Sequence, residues 1–183
     1  GLTTYSLSFN TSNGINTDLT VEIDNPNFGV MAQDVTFNLA GKLIVSQGQC
    51  DIGATSGNVS GVDQSQYYLN ILDGGHLEVK GGELNTRAGI AGNGSHYFTM
   101  TDGLINVGRN ANASTRGLFD LQGNPQVEIS GGKITMTDNR FVNNNLGYRV
   151  DDGNINITGG ILQVGTSLSP AGTNTFSVRG HTP

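Results

Sequence analysis

Tryptophan is absent from the sequence, cysteine occurs once, and proline only four times in 183 residues. A single cysteine excludes an internal disulfide and any cysteine-rich zinc site. Charge is scarce as well. Asp, Glu, Lys and Arg make up 13 %, with 9 basic against 15 acidic residues and a formal net charge of −6. Nucleic acid is excluded as a partner on that ground, because phosphate backbones are held by a footprint of Lys and Arg. The same deficit argues against electrostatic docking on anionic lipid. No apolar run approaches the roughly 20 residues of a membrane-spanning helix, so no membrane insertion is expected. Neither an initiating Met nor a signal peptide is present, and Gly1 reads as a processed end or a boundary.

Glycine is what the sequence has in abundance, with 28 residues, beside many Asn, Ser and Thr; hydrophobic residues amount to 35 %. A compact α/β enzyme would carry more Leu, Ala, Lys and Glu. Disordered chains share low hydrophobicity but lack ordered alternation of β-branched residues. Here Val, Ile, Leu and Thr alternate, so a thin core is expected within a single domain over residues 1–183.

The alternation recurs as a repeat. One copy runs Phe119-Asp-Leu121, a turn at Gly123-Asn124, Val127-Glu-Ile129, a turn at Gly131-Gly132, then Ile134-Thr-Met136. Another runs Tyr148-Arg-Val150, Asp152-Gly153, Ile155-Asn-Ile157, Gly159-Gly160, Leu162-Gln-Val164. Leading aromatics fall at Phe9, Phe37, Tyr67, Phe98, Phe119, Tyr148 and Phe176, at intervals of 28, 30, 31, 21, 29 and 28 residues. The period within each copy is 2 and not 3.6, and glycines interrupt every few residues, which excludes helical repeats. Three short strands per period predict an all-β right-handed parallel β-helix, a β-solenoid of about six to seven triangular coils of roughly 28–30 residues. Each strand would bond to its equivalent one coil away at ~4.8 Å, giving a rod near ~30 Å long. The seven aromatics are then expected to form one structural column. Outward positions carry Asn38, Glu78, Thr99, Asn106, Asp120, Thr135, Arg149, Gln163 and Ser177. Segments 53–66, 86–96, 108–117, 137–147 and 165–174 would share one variable edge holding Arg87, Arg109, Arg116 and Arg140. Loops on a rigid scaffold are where binding concentrates.

The stretches Gly75–Gly82 (GHLEVKGG), Gly103–Gly108 (GLINVG) and Gly159–Gly165 (GGILQVG) resemble the Gly-Gly-x-Leu-x-Val repeats of bacterial autotransporter-like secreted β-helix surface proteins, over about residues 35–180. The resemblance implies an extracellular or cell-surface location and a non-enzymatic role as adhesin, filament subunit or surface scaffold. Polysaccharide lyases and hydrolases occur on related coils, so a carbohydrate-binding or carbohydrate-cleaving protein is the alternative it implies. The basic and acidic catalytic cluster of those enzymes is missing here, as is the nonapeptide of calcium-binding β-rolls.

Individual residues add little chemistry. Asp151-Asp152 offers a carboxylate pair of the kind glycosidases use, yet Asp152 occupies a turn position like Asp73 and Asp102. Asp120 and Arg149 read as a cross-strand ion pair. Asp73 and Asp102 are expected at one corner on neighbouring coils, where two carboxylates are either solvated or bridged by a cation; solvation is preferred, and no metal or cofactor is assigned. His76, His96 and His181 are too scattered for a metal triad. Cys50 falls on an inward position and reads as a buried, inert thiol. Asn-x-Ser/Thr occurs at Asn10, Asn58, Asn93, Asn112 and Asn156. Aromatics sit at inward positions, whereas a glycan site needs aromatic platforms beside carboxylates and cations. The segments around Phe9 and Phe176 alternate like strands with no polar cap, so the expected partner is the chain itself, stacked head to tail, or the rest of a longer rod; a glycan is the other partner class.

Overall fold

Alternating side chains put every second residue on one face of a strand, and turns every few residues keep those strands short. The outcome is seen in a computed structural model, which describes residues 14–15, 17–27, 29–32, 36–52, 68–86, 89–107, 118–136, 148–151, 153–164 and 176–179. Among the described residues the protein is all-β, with three sheets and no helix, and every strand pair is parallel. The first sheet holds β1 (Gly14–Ile15), β4 (Phe37–Leu39), β7 (Tyr68–Ile71), β10 (Gly89–Gly92), β13 (Leu118–Leu121), β16 (Tyr148–Asp151) and β19 (Phe176–Arg179). The second holds β2 (Thr20–Ile23), β5 (Lys42–Val45), β8 (His76–Val79), β11 (Tyr97–Met100), β14 (Gln126–Ile129) and β17 (Asn154–Ile157). The third holds β3 (Gly29–Ala32), β6 (Gln49–Ile52), β9 (Glu83–Thr86), β12 (Leu104–Val107), β15 (Lys133–Met136) and β18 (Ile161–Val164). The chain visits the sheets in strict rotation, and within each sheet a strand neighbours those of the preceding and following circuits.

Inward residues of the three sheets meet in one core. Phe37, Leu69, Ile90 and Phe119 line it from the first sheet, Leu43, Leu77, Phe98 and Val127 from the second, and Cys50, Leu84, Ile105 and Ile134 from the third. At the corner between second and third sheets, Gly48, Gly82, Gly103, Gly132 and Gly160 all have positive φ, from 65° to 91°. The residue after each of the last four donates its N–H to the glycine carbonyl one circuit below, at 2.9–3.0 Å. A left-handed residue at that point turns the chain without interrupting the ladder.

The register corrects the expected aromatic column. Phe37 stands opposite Leu69, Leu69 opposite Ile90, Ile90 opposite Phe119, Phe119 opposite Tyr148 and Tyr148 opposite Phe176. Phe98 is not in this file. It lies in the second sheet between Leu77 and Val127. Phe9 and Tyr67 lie outside the described residues. The step between equivalent positions is also uneven: Leu43 to Leu77 is 34 residues, Leu77 to Phe98 is 21, and Phe98 to Val127 is 29. The short circuit leads from β7 into β10, whose sequence Gly-Ile-Ala-Gly carries one large side chain and no aromatic, so the run of leading aromatics skips that strand and lands on Phe98. Segment 86–96 is therefore no loop, since it contains β10. The other four variable segments do join the third sheet to the first. Their interiors, and Arg87, Arg109, Arg116 and Arg140, lie outside the described residues.

Candidate functional site on the outer face of the second sheet

The strand spacing of ~4.8 Å arranges outward side chains of the second sheet as a grid. One file runs Lys42, His76, Tyr97, Gln126, and the next runs Ile44, Glu78, Thr99, Glu128. Tyr97 projects outward and is 47 % exposed, because its neighbour Phe98 takes the inward position. This corrects the expectation that aromatics sit only at inward positions. The imidazole of His76 lies 5.6 Å from the Tyr97 ring at a 51° tilt and shares a 3.1 Å hydrogen bond through Nε2 with the Thr99 hydroxyl. Burial first, and then the Lys42 charge, lower the pKa of His76, so the ring is neutral at pH 7. Lys42 Nζ contacts Glu78 Oε2 at 2.6 Å, and that bond holds the Glu78 carboxyl below its ordinary range. One row away, Lys80 meets Glu22 at 3.4 Å and Ser46 Oγ donates to Glu22 Oε1 at 2.7 Å. Glu128 is exposed beside Thr99. The face thus combines an open aromatic ring with carboxylates, an amide and paired cations.

The third sheet's outer face is a polar ladder. Thr135 Oγ1 donates to Asn106 Oδ1 at 2.6 Å, Asn106 Nδ2 to Asn85 Oδ1 at 2.8 Å, and Asn85 Nδ2 to Asp51 Oδ1 at 2.7 Å. Gln49 also donates to both Asp51 oxygens. These hydrogen bonds run in sequence toward Asp51, so each polarises the next, and Asn106 Nδ2 also donates to Glu83 Oε1 at 3.1 Å. With its donors and acceptors spent on one another, this ladder is a structural brace.

His96 is the buried exception at the corner between first and second sheets. It is 0 % exposed and takes the place that Gly75 and Pro125 fill in adjacent circuits, its carbonyl accepting from Gln126 N as Gly75's accepts from Tyr97 N. Room for the imidazole comes from Gly92, an inward position opposite Ile71 and Leu121; a Cβ there would lie 2.4 Å from His96 Nε2. Nδ1 bonds the Gly94 carbonyl at 3.0 Å, while Nε2 is buried with no hydrogen-bond partner. Burial lowers the His96 pKa, the Gly94 carbonyl and Asp73 pulling the other way. With the folded pKa below the unfolded value of about 6.5, the unfolded chain binds more protons in that window, so stability falls as pH drops below about 6.5. His76 acts in the same direction. We therefore expect the midpoint of thermal unfolding to fall between pH 7 and pH 5, and His96→Gln to lose part of that fall. An identical pH profile in the variant would contradict the assignment.

The remaining sequence candidates separate. Asp73 follows β7 and Asp102 follows β11, so they occupy different corners and do not form the expected pair. Asp73 Oδ1 accepts from Ser95 N at 2.7 Å, which ties one circuit to the next, and Asp102 Oδ1 accepts from Gly103 N at 2.7 Å within its own turn. No group of three or more His, Cys, Asp or Glu that could hold a metal occurs among the described residues. Asp120 stands in register with Arg149 and is bonded by Gln122 Nε2 at 2.9 Å; the Arg149 side chain lies outside the description, as do the Asp151 side chain, Asp152 and His181. Cys50 is buried, and desolvation pushes its thiol up to about 12, which removes it as a nucleophile at neutral pH. Of the Asn-x-Ser/Thr positions, Asn93 and Asn156 are described in the structure, and Asn10, Asn58 and Asn112 lie outside the described residues. Sequence reasoning missed Tyr97 and the Gly92–His96 exchange. The 21-residue interval was the signal for the first, while nothing local announces the second. No protein-family model matches the chain, and comparison with curated proteins and with solved structures returns no match.

Proposed function

We propose that the three sheets form a right-handed parallel β-helix, with six full triangular coils and the opening strand of a seventh, and that it serves as a non-enzymatic extracellular scaffold. The role is that of a filament subunit or the stalk of a bacterial surface adhesin, with a second copy of the chain as partner. The observation that carries this reading is the unbroken rotation of the chain through three in-register parallel sheets. Such a ladder has no intrinsic stopping point. Among the described strands β17 and β18 are the last of their sheets, and Ile157, at an inward position, is 42 % exposed where its in-register neighbour Ile129 is 3 %, so a further coil, from the same chain or from a second copy, would continue the core. Edge strands pair readily with further strands.

A carbohydrate reading is favoured by the Tyr97 face. Its cleaving form needs a carboxyl that stays protonated near neutral pH beside a second, ionised one. Glu78 is driven the other way by Lys42, so the face suits binding. Electron micrographs of the purified chain over a range of concentrations test the scaffold reading. Rods of uniform width that lengthen with concentration are expected; isolated compact particles at every concentration would overturn the filament.

A further inference from the structure

We propose that the outer face of the second sheet around Tyr97 is a binding site for an uncharged polysaccharide. This deepens the carbohydrate reading and rests on it, and it requires the register of β5, β8, β11 and β14.

Tyr97 stands at an outward strand position with its ring 47 % open, a platform that a ligand can reach. The C–H face of a sugar ring packs against an aromatic face, which presents a large, rigid apolar surface with a polar hydroxyl at its rim. Sugar hydroxyls then need hydrogen-bonding groups at the edge of that platform, since buried hydroxyls without partners are penalised. Gln126 stands beside Tyr97 one strand away, with an amide that donates and accepts. Glu128 is next to Gln126 on the same face of β14 and exposed; its carboxylate accepts from two neighbouring hydroxyls at once. On the other side His76 tilts against the ring and is tied to Thr99. That bracing lowers the rotamer entropy lost on binding.

Charge sets the class of sugar. Glu78 and Glu128 flank Thr99 in one file, and the nearest cation, Lys42, is already paired with Glu78. Uronates and sulfated sugars would meet repulsion, while neutral hydroxylated sugars would not. The face is the open side of a sheet, so a single sugar binds weakly. Affinity grows when a polymer carries the same unit repeatedly and copies of the face lie along one rod.

The test uses the intact chain and soluble polysaccharides: a β-glucan, a mannan, a galactan and a xylan, with a polyuronate as the charged probe. Affinity electrophoresis gives binding, and circular dichroism confirms the fold of each variant. We expect retardation by at least one neutral polymer and none by the polyuronate. Tyr97→Ala should weaken binding at least about tenfold, Tyr97→Phe should retain it, and Glu128→Gln should weaken it several-fold while leaving the fold intact. Absence of binding to every neutral polymer, preference for the polyuronate, or unchanged binding in Tyr97→Ala and Glu128→Gln each overturns the proposal. Micrographs of the same preparation separate the two readings: rods without retardation overturn the sugar site alone, and retardation without rods overturns the filament alone.

Discussion

Replacing Phe98 by Ala is expected to cost about 3–5 kcal/mol of stability, a larger effect than at any surface position of the same strand. Phe98 is 0 % exposed. It packs edge-on against Phe119 across the core, with ring centroids 5.3 Å apart and planes at 79°. Leu77 and Val127 flank it in its own sheet. Alanine would open a cavity that neighbours fixed by backbone ladders on both sides cannot close, and it would forfeit the aromatic contact, worth about 0.5–1.5 kcal/mol beyond the buried area. Tyr97→Ala, one residue earlier on the opposite face, should stay within about 0.5 kcal/mol, as exposed substitutions do. Denaturant melts of the two variants give the comparison. Equal losses would mean that the faces of β11 are assigned wrongly.

The second large effect is at Gly103. Its φ is +91°, and a Cβ there would lie 2.7 Å from the carbonyl carbon and oxygen of Gly81 in the circuit below. Gly103→Ala incurs the left-handed penalty of about 1–2 kcal/mol and, in addition, a contact that only backbone movement can relieve, at about 1–3 kcal/mol. Gly74 provides the control. Its φ is +79° and nothing lies within 4 Å of the position its Cβ would take, so Gly74→Ala incurs the backbone penalty alone. A chemical melt of both variants should show the greater loss at Gly103. Parity between them would remove the stacked corner from the account.

Much of this arrangement was legible in the residues themselves. Val127-Glu-Ile129 and Ile134-Thr-Met136 show their inward faces by alternation alone, and the glycine doublets mark the corner where left-handed residues stack. Tyr67-Tyr-Leu69 pointed to the correct face but to a register two residues off: Phe37 pairs with Leu69, and a shift by two leaves alternation unchanged. The circuit from Gly89 to Val107 was displaced by a whole strand, because β10 is built from small residues whose missing volume His96 supplies from outside the strand. Exchanges of that kind depend on contact across a corner, which periodicity does not encode. The Tyr97 face was lost to the same displacement. Once Phe98 is placed in the first sheet, Tyr97 no longer sits between His76 and Gln126. Asp73 and Asp102 were paired by their common place before a turn glycine, although the turns belong to different corners.

Cross-linking decides the register on which everything else depends. In-register outward residues on adjacent parallel strands are spaced within the Cα range that a disulfide spans. Thr99 lies opposite Glu128 in the second sheet, whereas a single aromatic column with Phe98 opposite Phe119 would set Thr99 opposite Asp120. Two double variants, Thr99→Cys with Glu128→Cys and Thr99→Cys with Asp120→Cys, are oxidised under mild conditions; native Cys50 is buried and does not compete. Rapid, near-complete intramolecular bridging of the first pair and none of the second is the expected result. Bridging of the Asp120 pair in place of the Glu128 pair would contradict the three-sheet register, and with it the exposed Tyr97 face.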